Sequence, residues 1–355
     1  MADEPRFAKG DLNSVMAAFP HVGDWVRDFE SRYGSRPIYY GPLDRDAKKE
    51  RPYNLIYAAK EPIFIHIYEP PEDDEGKGGQ ILWFGLEPQL GEEEENIRRE
   101  LVETLLQEAP TAPTFTTDSE FENILEQMID RFTILDSDVS SAVRRQGRFW
   151  EMIGMDDKRL VVSTEQRDRL QYIVIRDLIR NGPLEPLLSD EMLEDIHSIG
   201  LKHIHMDHKV FGMVTSNIRF REREILSRYL RAMSERIGRP VSDNKPIIDG
   251  ALLDGSRINI IFSDDVSMLG PSFTIRKFAE ETISIIQLIK WGTISAQVAA
   301  YIWICLEYGM SVLVSGETAS GKTTTLNAIL PFIDHNVKIY SAEDTPEVKV
   351  RHKIW

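Results

Sequence analysis

Ser311-Val312-Leu313-Val314-Ser315-Gly316-Glu317-Thr318-Ala319-Ser320-Gly321-Lys322-Thr323-Thr324 is the stretch on which the fold turns. Its apolar opening, residues 311–315, reads as a short buried strand, and residues 322–329 read as the helix that follows. Ahead of it, residues 299–306 read as a buried helix; after it, residues 337–341 read as a second strand. Strand, glycine turn, helix, strand is the opening of a parallel α/β sheet. The turn itself fits G-x-x-x-x-G-K-[ST] from Gly316 to Thr323. In that pattern backbone N–H groups point inward around the β- and γ-phosphates of a nucleotide, and the helix start turns its positive end to the anion. Lys322 is expected to bridge β- and γ-oxygens, the Thr323 hydroxyl to ligate Mg²⁺, and Thr324 to reach the α-phosphate. A bare pattern match can be chance. A match that follows a predicted strand and opens a predicted helix has the context the chemistry requires.

The strand at 337–341 runs into Glu343-Asp344. Carboxylates at the C-terminal edge of a strand beside a phosphate loop sit where an attacking water is polarised. The same residues also suit a helix start, with Asp344 or Thr345 as cap and Pro346 in the first turn. Both hold together if Asp344 or Thr345 caps while Glu343 faces the nucleotide.

Upstream, Phe121, Ile124, Leu125, Met128, Ile129 and Phe132 recur at the spacing of one buried helix face. Residues 167–179 form a further helix, closed by Asn181-Gly182-Pro183, and short strands and helices continue to about Lys277. Nearer the N-terminus, Val22, Trp25, Val26 and Phe29 predict a helix that Gly34 stops. Ile63, Ile65 and Ile67 alternate with Phe64, His66 and Tyr68 as a strand. A charged, glycine-rich loop over 72–79 precedes a second strand near 81–84. Glu92, Glu93, Glu94 and Glu95 then open an amphipathic helix carrying Ile97, Leu101 and Leu105, with carboxylates against the positive helix start. Pro110 and Pro113, set among threonines, mark a linker or domain edge. The expected domains are an acidic variable N-terminal domain over 1–118, a second α+β domain over 119–280, and an α/β nucleotide domain beginning at 281.

A chain of 355 residues is too long for one ordinary domain and suits two or three. The longest apolar run, 298–306, stops at Glu307, far short of the roughly 20 residues a membrane span needs. No basic-then-apolar segment opens the chain. The single Cys305 supports neither an internal disulfide nor a cysteine-only metal site. A cytosolic protein is therefore expected. Net charge is −16, and residues 1–118 carry −11 of it, from 24 acidic and 13 basic residues. Such a front end repels nucleic acid and anionic lipid, and suits a basic protein partner. A merely solubilising surface explains any one acidic run equally well.

Five further stretches carry a family resemblance: Gly182-Pro183-Leu184-Glu185-Pro186-Leu187-Leu188, Asp254-Gly255-Ser256-Arg257-Ile258-Asn259, Gly270-Pro271-Ser272-Phe273-Thr274-Ile275-Arg276-Lys277, the phosphate loop, and Glu343-Asp344-Thr345. Together, over roughly residues 170–355, they resemble the secretion ATPases. These are the motors of type II secretion, type IV pili and the archaeal flagellum (archaellum), and the stretch is most similar to the archaeal branch, within it to the archaellum motor. Residues 1–118 resemble the family's variable N-terminal region only loosely.

The resemblance implies a RecA-like domain preceded by α+β N-terminal domains, a homo-hexameric ring, and ATP with Mg²⁺ gripped between two domains. It implies a hydrolase in which Glu343 is the catalytic glutamate, and Arg257 and Arg276 reach the nucleotide phosphates from the preceding domain. An always-charged guanidinium suits that task; without the motif context each arginine reads as a surface ion pair. The nucleotide cradle comprises Gly316, Glu317, Thr318, Ala319, Ser320, Gly321, Lys322, Thr323 and Thr324, with Thr323 on the metal. Implied partners are a membrane platform protein and an accessory ATP-binding or adaptor protein, with the membrane touched only through them and no nucleic acid. The family also uses a later strand whose acidic residues hold Mg²⁺ and a histidine box. Neither is found before Trp355, so weak or absent turnover is expected of this chain alone. A type II secretion or type IV pilus ATPase, a nucleic-acid translocase and a non-enzymatic assembly fragment are the rival readings.

His203, His205 and Asp207 would share one face of a strand and suit Zn²⁺ or Ni²⁺, although histidines on a solvated strand face are common. Arg219, Arg221, Arg223, Arg228, Arg231 and Arg236, interleaved with glutamates, suggest ion pairs at helical spacing more than a nucleic-acid track. Trp291 and Trp303 suggest core or hinge packing.

Overall fold

Ile63–Tyr68 (β3) is buried along its whole length, on both faces, which makes it the centre around which the N-terminal part is built. In the computed structural model it pairs antiparallel with Asn54–Lys60 (β2) and Leu82–Leu86 (β4), while Ile38–Tyr39 (β1) runs parallel to β2. The structure describes residues 9–41, 43, 45–71, 79–109, 113, 117–136, 159–262, 266–277, 283–317, 320–343 and 348. Most of the loop expected over 72–79, most of the expected linker over 110–116, the two loop residues Thr318 and Ala319, and the Asp344, Thr345 and Pro346 cap lie outside them. The chain divides into two compact units, Met1–Lys277 and Phe278–Trp355.

The first unit is a mixed α and β structure on one ten-stranded sheet. Beyond β4 its strands are Gly212–Ser216 (β9), His205–His208 (β8), Leu193–Ile199 (β7), Ser272–Arg276 (β12), Arg257–Ile261 (β11) and Ile247–Ala251 (β10), in that spatial order. β4 and β9 join the two halves through a short parallel pairing, Leu82 opposite Thr215 and Trp83 opposite Ser216. The boundary expected at 118/119 thus falls inside a unit whose sheet takes strands from both sides of it. A separate pair, Thr133–Leu135 (β5) and Leu160–Val162 (β6), runs parallel.

The alternation read from the sequence decides which face of β3 meets which helix. Phe64 packs with Leu12–Ala18 (α1) and Pro20–Tyr33 (α2), through Val15, Val22 and Val26. Pro20 starts α2 with its φ already set, and Gly34 ends it at φ 65°, where a side chain would be strained. Ile63, Ile65 and Ile67 face the other way, into the main core with Trp83, Tyr172 and Leu187. Glu92–Glu108 (α3), Asp118–Phe132 (α4) and Thr164–Leu178 (α5) pack together through Leu101, Leu105, Leu125, Ile129, Val174 and Ile175. Their starts are capped: Glu94 accepts the Gly91 N–H at 2.9 Å, Thr117 accepts from Glu120, and Ser163 and Gln166 form a capping box.

Over β7–β12 only one face is covered. Ile196, Met206, Val214, Ile258, Ile260, Phe273 and Ile275 lie under Arg223–Arg236 (α7) with Leu226, Leu230 and Met233. The opposite face carries the alternate residues of the same strands; it is mostly polar, with Ile199, Met213 and Ile247 exposed on it. The arginines of and around α7 are used differently from the helical pairs expected. Arg236 donates to the carbonyls of Ile179 and Arg180, Arg239 to that of Asp249, and Arg231 lies over the Phe262 ring.

In the second unit the helices read at 299–306 and 322–329 form as Ala296–Glu307 (α9) and Lys322–Ile329 (α10), and Ile285–Lys290 (α8) precedes them. Two expectations are corrected. Residues 311–315 and 337–341 carry no strand pairing, because a parallel strand exists only through hydrogen bonds to a neighbour and none is paired among the described residues; Leu313 is 90% exposed. The helix read as buried covers only Ala299, and Tyr301 is 68% exposed. A helix apolar all round needs cover on every side, and the described residues of this unit supply it on one. Trp291 and Trp303 are likewise half exposed, although Trp303 stacks on Phe332 at 5.3 Å.

Candidate functional site

The glycines of the phosphate loop are where the backbone forbids anything larger. Gly321 caps α10 at φ 87° and ψ 22°, in the left-handed region. A Cβ at Gly316 would lie 2.5 Å from the Ser320 hydroxyl. The loop is tightened by Ser320 N–H donating to the Glu317 carbonyl at 3.2 Å, and α10 begins with Thr325 N–H on Gly321 O at 2.8 Å. Lys322 Nζ reaches back across the loop and donates to the Glu317 carbonyl at 2.5 Å. The lysine, the first-turn N–H groups and the hydroxyl-bearing Thr323 and Thr324 therefore gather at one helix start, with positive potential. Such a cradle fits a polyphosphate. Thr323 sits at the second position of α10, where its hydroxyl suits a phosphate-bound Mg²⁺. Glu343 is exposed, and its Oε2 accepts the Val348 N–H at 2.9 Å.

Arg257 and Arg276 belong to the first unit, and the register makes them direct partners across β11 and β12. Like charges facing each other in a sheet are unfavourable, and here each has a carboxylate beside it. Arg257 Nη2 lies 3.4 Å from Asp249 Oδ1, and Arg276 Nε lies 3.9 Å from Asp195 Oδ1. Both guanidiniums reach solvent on the polar face, with side chains 50% and 67% exposed. Exposed pairs at these distances hold their arginines loosely. The Asp254-Gly255 turn leads directly into Arg257. Asp254 accepts from the Ser256 N–H at 2.9 Å and hydroxyl at 2.8 Å, Gly255 takes φ 84°, and β11 starts at Arg257.

The histidine reading changes in detail. His203 precedes β8 and bonds the Ser216 carbonyl, while His205 bonds the Thr215 hydroxyl. Asp207 instead meets Asp195 and His197 of β7, with ligating atoms within 4.8 Å of one another. This grouping exists only through cross-strand register. Asp195 shares it with Arg276, and His197 lies 4.0 Å from Asp207.

A buried polar cluster escaped the sequence reading entirely. Asp190 is fully buried at the end of Glu185–Ser189 (α6). Its Oδ2 accepts the Tyr57 hydroxyl at 2.7 Å and Trp83 Nε1–H at 2.9 Å, and its Oδ1 accepts the Met192 N–H at 3.0 Å. His208 Nδ1 accepts the N–H groups of Val210 and Phe211, so its Nε2–H is the donor toward Tyr57 at 3.1 Å. Burial holds His208 down to about 4 and, with Asp190 beside it, pushes the Tyr57 phenol well up. Asp, Tyr, Trp and His far apart in sequence give no local signal of such a network.

The family described as type II/IV secretion system protein matches residues 177–354. Uncharacterized protein MJ0900 of Methanocaldococcus jannaschii is 46% identical over 349 residues, which is 98% of this chain and 62% of that protein. A putative conjugal transfer protein of Mycobacterium tuberculosis is 28% identical over 182 residues, 50% of this chain and 51% of its own. The chain thus spans 62% or less of the length of these two relatives. Among solved structures, the VirB11 ATPase of the Brucella suis type IV secretion system aligns at 20% identity over 48% of this chain and 58% of its own. Its TM-score of 0.27 is too low to carry an argument.

Proposed function

Because the chain belongs to the type II/IV secretion system protein family, we propose that it is the nucleotide-gripping part of a ring-forming motor ATPase that drives assembly of a type IV pilus-like filament. The observation that carries this is the loop from Gly316 to Thr324, whose glycines and Lys322 leave a cradle at the start of α10. ATP with Mg²⁺ supplies the phosphoryl group whose transfer to water releases the free energy. Lys322 and the loop N–H groups hold the phosphates, and Thr323 holds the metal. Glu343 polarises the attacking water, and Arg257 and Arg276 stabilise charge developing on the transferring group. Those arginines reside in the first unit and the loop in the second. The acidic front end, with a net charge of −11 over residues 1–118, suits a basic partner on a membrane platform and keeps the chain itself off anionic lipid.

Within the family we place the chain on the archaeal branch, as an archaellum or related filament motor, supported by the long match to the Methanocaldococcus protein. The conjugal transfer proteins among its relatives favour a second reading, a secretion or transfer ATPase built on the same parts. Isothermal titration of ATP–Mg²⁺ tests the nucleotide assignment. Lys322→Ala is expected to abolish measurable binding, and unchanged affinity in that variant refutes the cradle.

A further inference from the structure

Lys277 is the last residue of the first unit and directly follows Arg276. Its N–H donates to the Glu194 carbonyl at 2.8 Å, carrying the β12–β7 pairing one residue past the end of the strand. Its side chain turns into the protein. The ammonium donates to the carbonyls of Leu187 at 3.4 Å, Leu188 at 2.8 Å and Asp190 at 2.5 Å, the acceptor end of α6. Helix ends leave carbonyls without partners, and a cation is favoured there. Three acceptors match the three donors of an ammonium group. Burial pulls this lysine below its ordinary range, and the Asp190 charge opposes that only in part.

Both ends of that anchor are themselves fixed. Asp190 is held by Tyr57, Trp83 and Met192, and Glu185 at the start of α6 accepts from Asn181 and Ser189. Successive side chains of a strand point to opposite faces. A lysine drawn inward at 277 therefore sends residue 276 outward, onto the polar face where Arg276 stands opposite Arg257. Among the described residues, a long, exposed ion pair to Asp195 orients the Arg276 side chain. Its placement depends on the backbone beneath it.

We propose that Lys277 is a positioning residue: by tying the end of β12 to the carbonyl end of α6, it holds Arg276 outward and fixes the point from which the chain leaves the first unit. This rests on the phosphate role given to Arg276 above. Four variants of the natural-length protein separate the two ideas: Arg276→Ala, Lys277→Met, Lys277→Arg and the double Arg276→Ala/Lys277→Met. Steady-state ATP turnover, titration with a fluorescent ATP analogue, and thermal melts are read for each. Lys277→Met is expected to lower kcat about tenfold or more, with nucleotide affinity kept within about twofold. The double variant is expected to be no slower than Arg276→Ala alone, because the lysine acts through the arginine. Lys277→Arg, which keeps charge and donors, is expected to restore at least about half of the turnover. Unchanged turnover in Arg276→Ala removes the arginine role, and the proposal falls with it. With Arg276→Ala slow, a Lys277→Met at parental rate, or a defect that multiplies with that of Arg276→Ala, overturns the positioning role alone. If Lys277→Met does not fold, Lys277→Gln takes its place, with an expected drop of about threefold or more and the same double-variant criterion.

Discussion

Acidification is expected to weaken the first unit through two buried histidines. His66 accepts the Trp25 Nε1–H at its Nδ1 (3.1 Å) and pairs its Nε2 with Asn54 Oδ1 at 2.8 Å, so the neutral ring is satisfied on both sides. His208 is satisfied in the same way, by two backbone N–H groups and Tyr57. A second proton meets a donor rather than an acceptor in either place, and burial pulls the two down to about 3 and about 4 from the ordinary value of 6.5. The folded values lie below the unfolded one. Below about pH 6.5 the unfolded chain therefore binds more protons, and stability falls as pH falls. From about pH 7.5 to about pH 5 each histidine removes about 2 kcal/mol, and the two together about 4. His21, also lowered by burial, acts in the same direction, and Glu87, raised by burial, acts against them. A difference measurement cancels both. Urea unfolding followed by tryptophan fluorescence reads the effect, since Trp25 and Trp83 lie beside the two networks. His208→Asn keeps an acceptor for the N–H two residues on but does not titrate. It is expected to lose about 2 kcal/mol less than the parent over that pH range. Equal pH slopes in parent and variant refute the reasoning.

Arg257→Ala in the natural-length protein is expected to leave ATP binding nearly intact and to cut turnover by about 10³–10⁵; parental turnover would reduce Arg257 to its ion pair with Asp249. Tyr57→Phe deletes one oxygen, with it the bond to Asp190 and the partner of His208 Nε2. It should cost about 2–4 kcal/mol in urea unfolding, and a loss under about 0.5 kcal/mol would mean that the cluster adds nothing to stability. Gly200 takes φ 57°, and a Cβ there would lie 2.1 Å from the Leu269 carbonyl oxygen. Gly200→Ala is therefore expected to cost more than about 2 kcal/mol, read as a lowered thermal midpoint, and a parental midpoint would show that this turn can shift freely.

Whatever depends on neighbours along the chain was legible in the sequence. The helices α2, α3 and α4 follow from apolar spacing and the end of α2 from Gly34, while Pro20, Thr117 and Ser163, equally local signals, are where the structure starts α2, α4 and α5. The phosphate loop follows from two glycines and a lysine at fixed offsets, and the presentation of Arg257 from the Asp254-Gly255 turn. Those signals are local because i, i+4 spacing and left-handed turns involve only a few consecutive residues. What required the tertiary structure is what depends on which strand lies beside which. The same apolar run that predicted a strand at 311–315 gives none without a paired neighbour, and the apolar run of α9 says nothing about what covers it. Register alone places Arg257 against Arg276 and gathers Asp195, His197 and Asp207. The parallel joint of β4 to β9 merges segments on either side of residue 118, and the cluster around Asp190 and Lys277 draws partners from β2, β4, α6 and β8. Pairings over more than a hundred residues leave no periodic trace, because they are selected by the packing of the whole sheet rather than by the conformational preferences of any one segment.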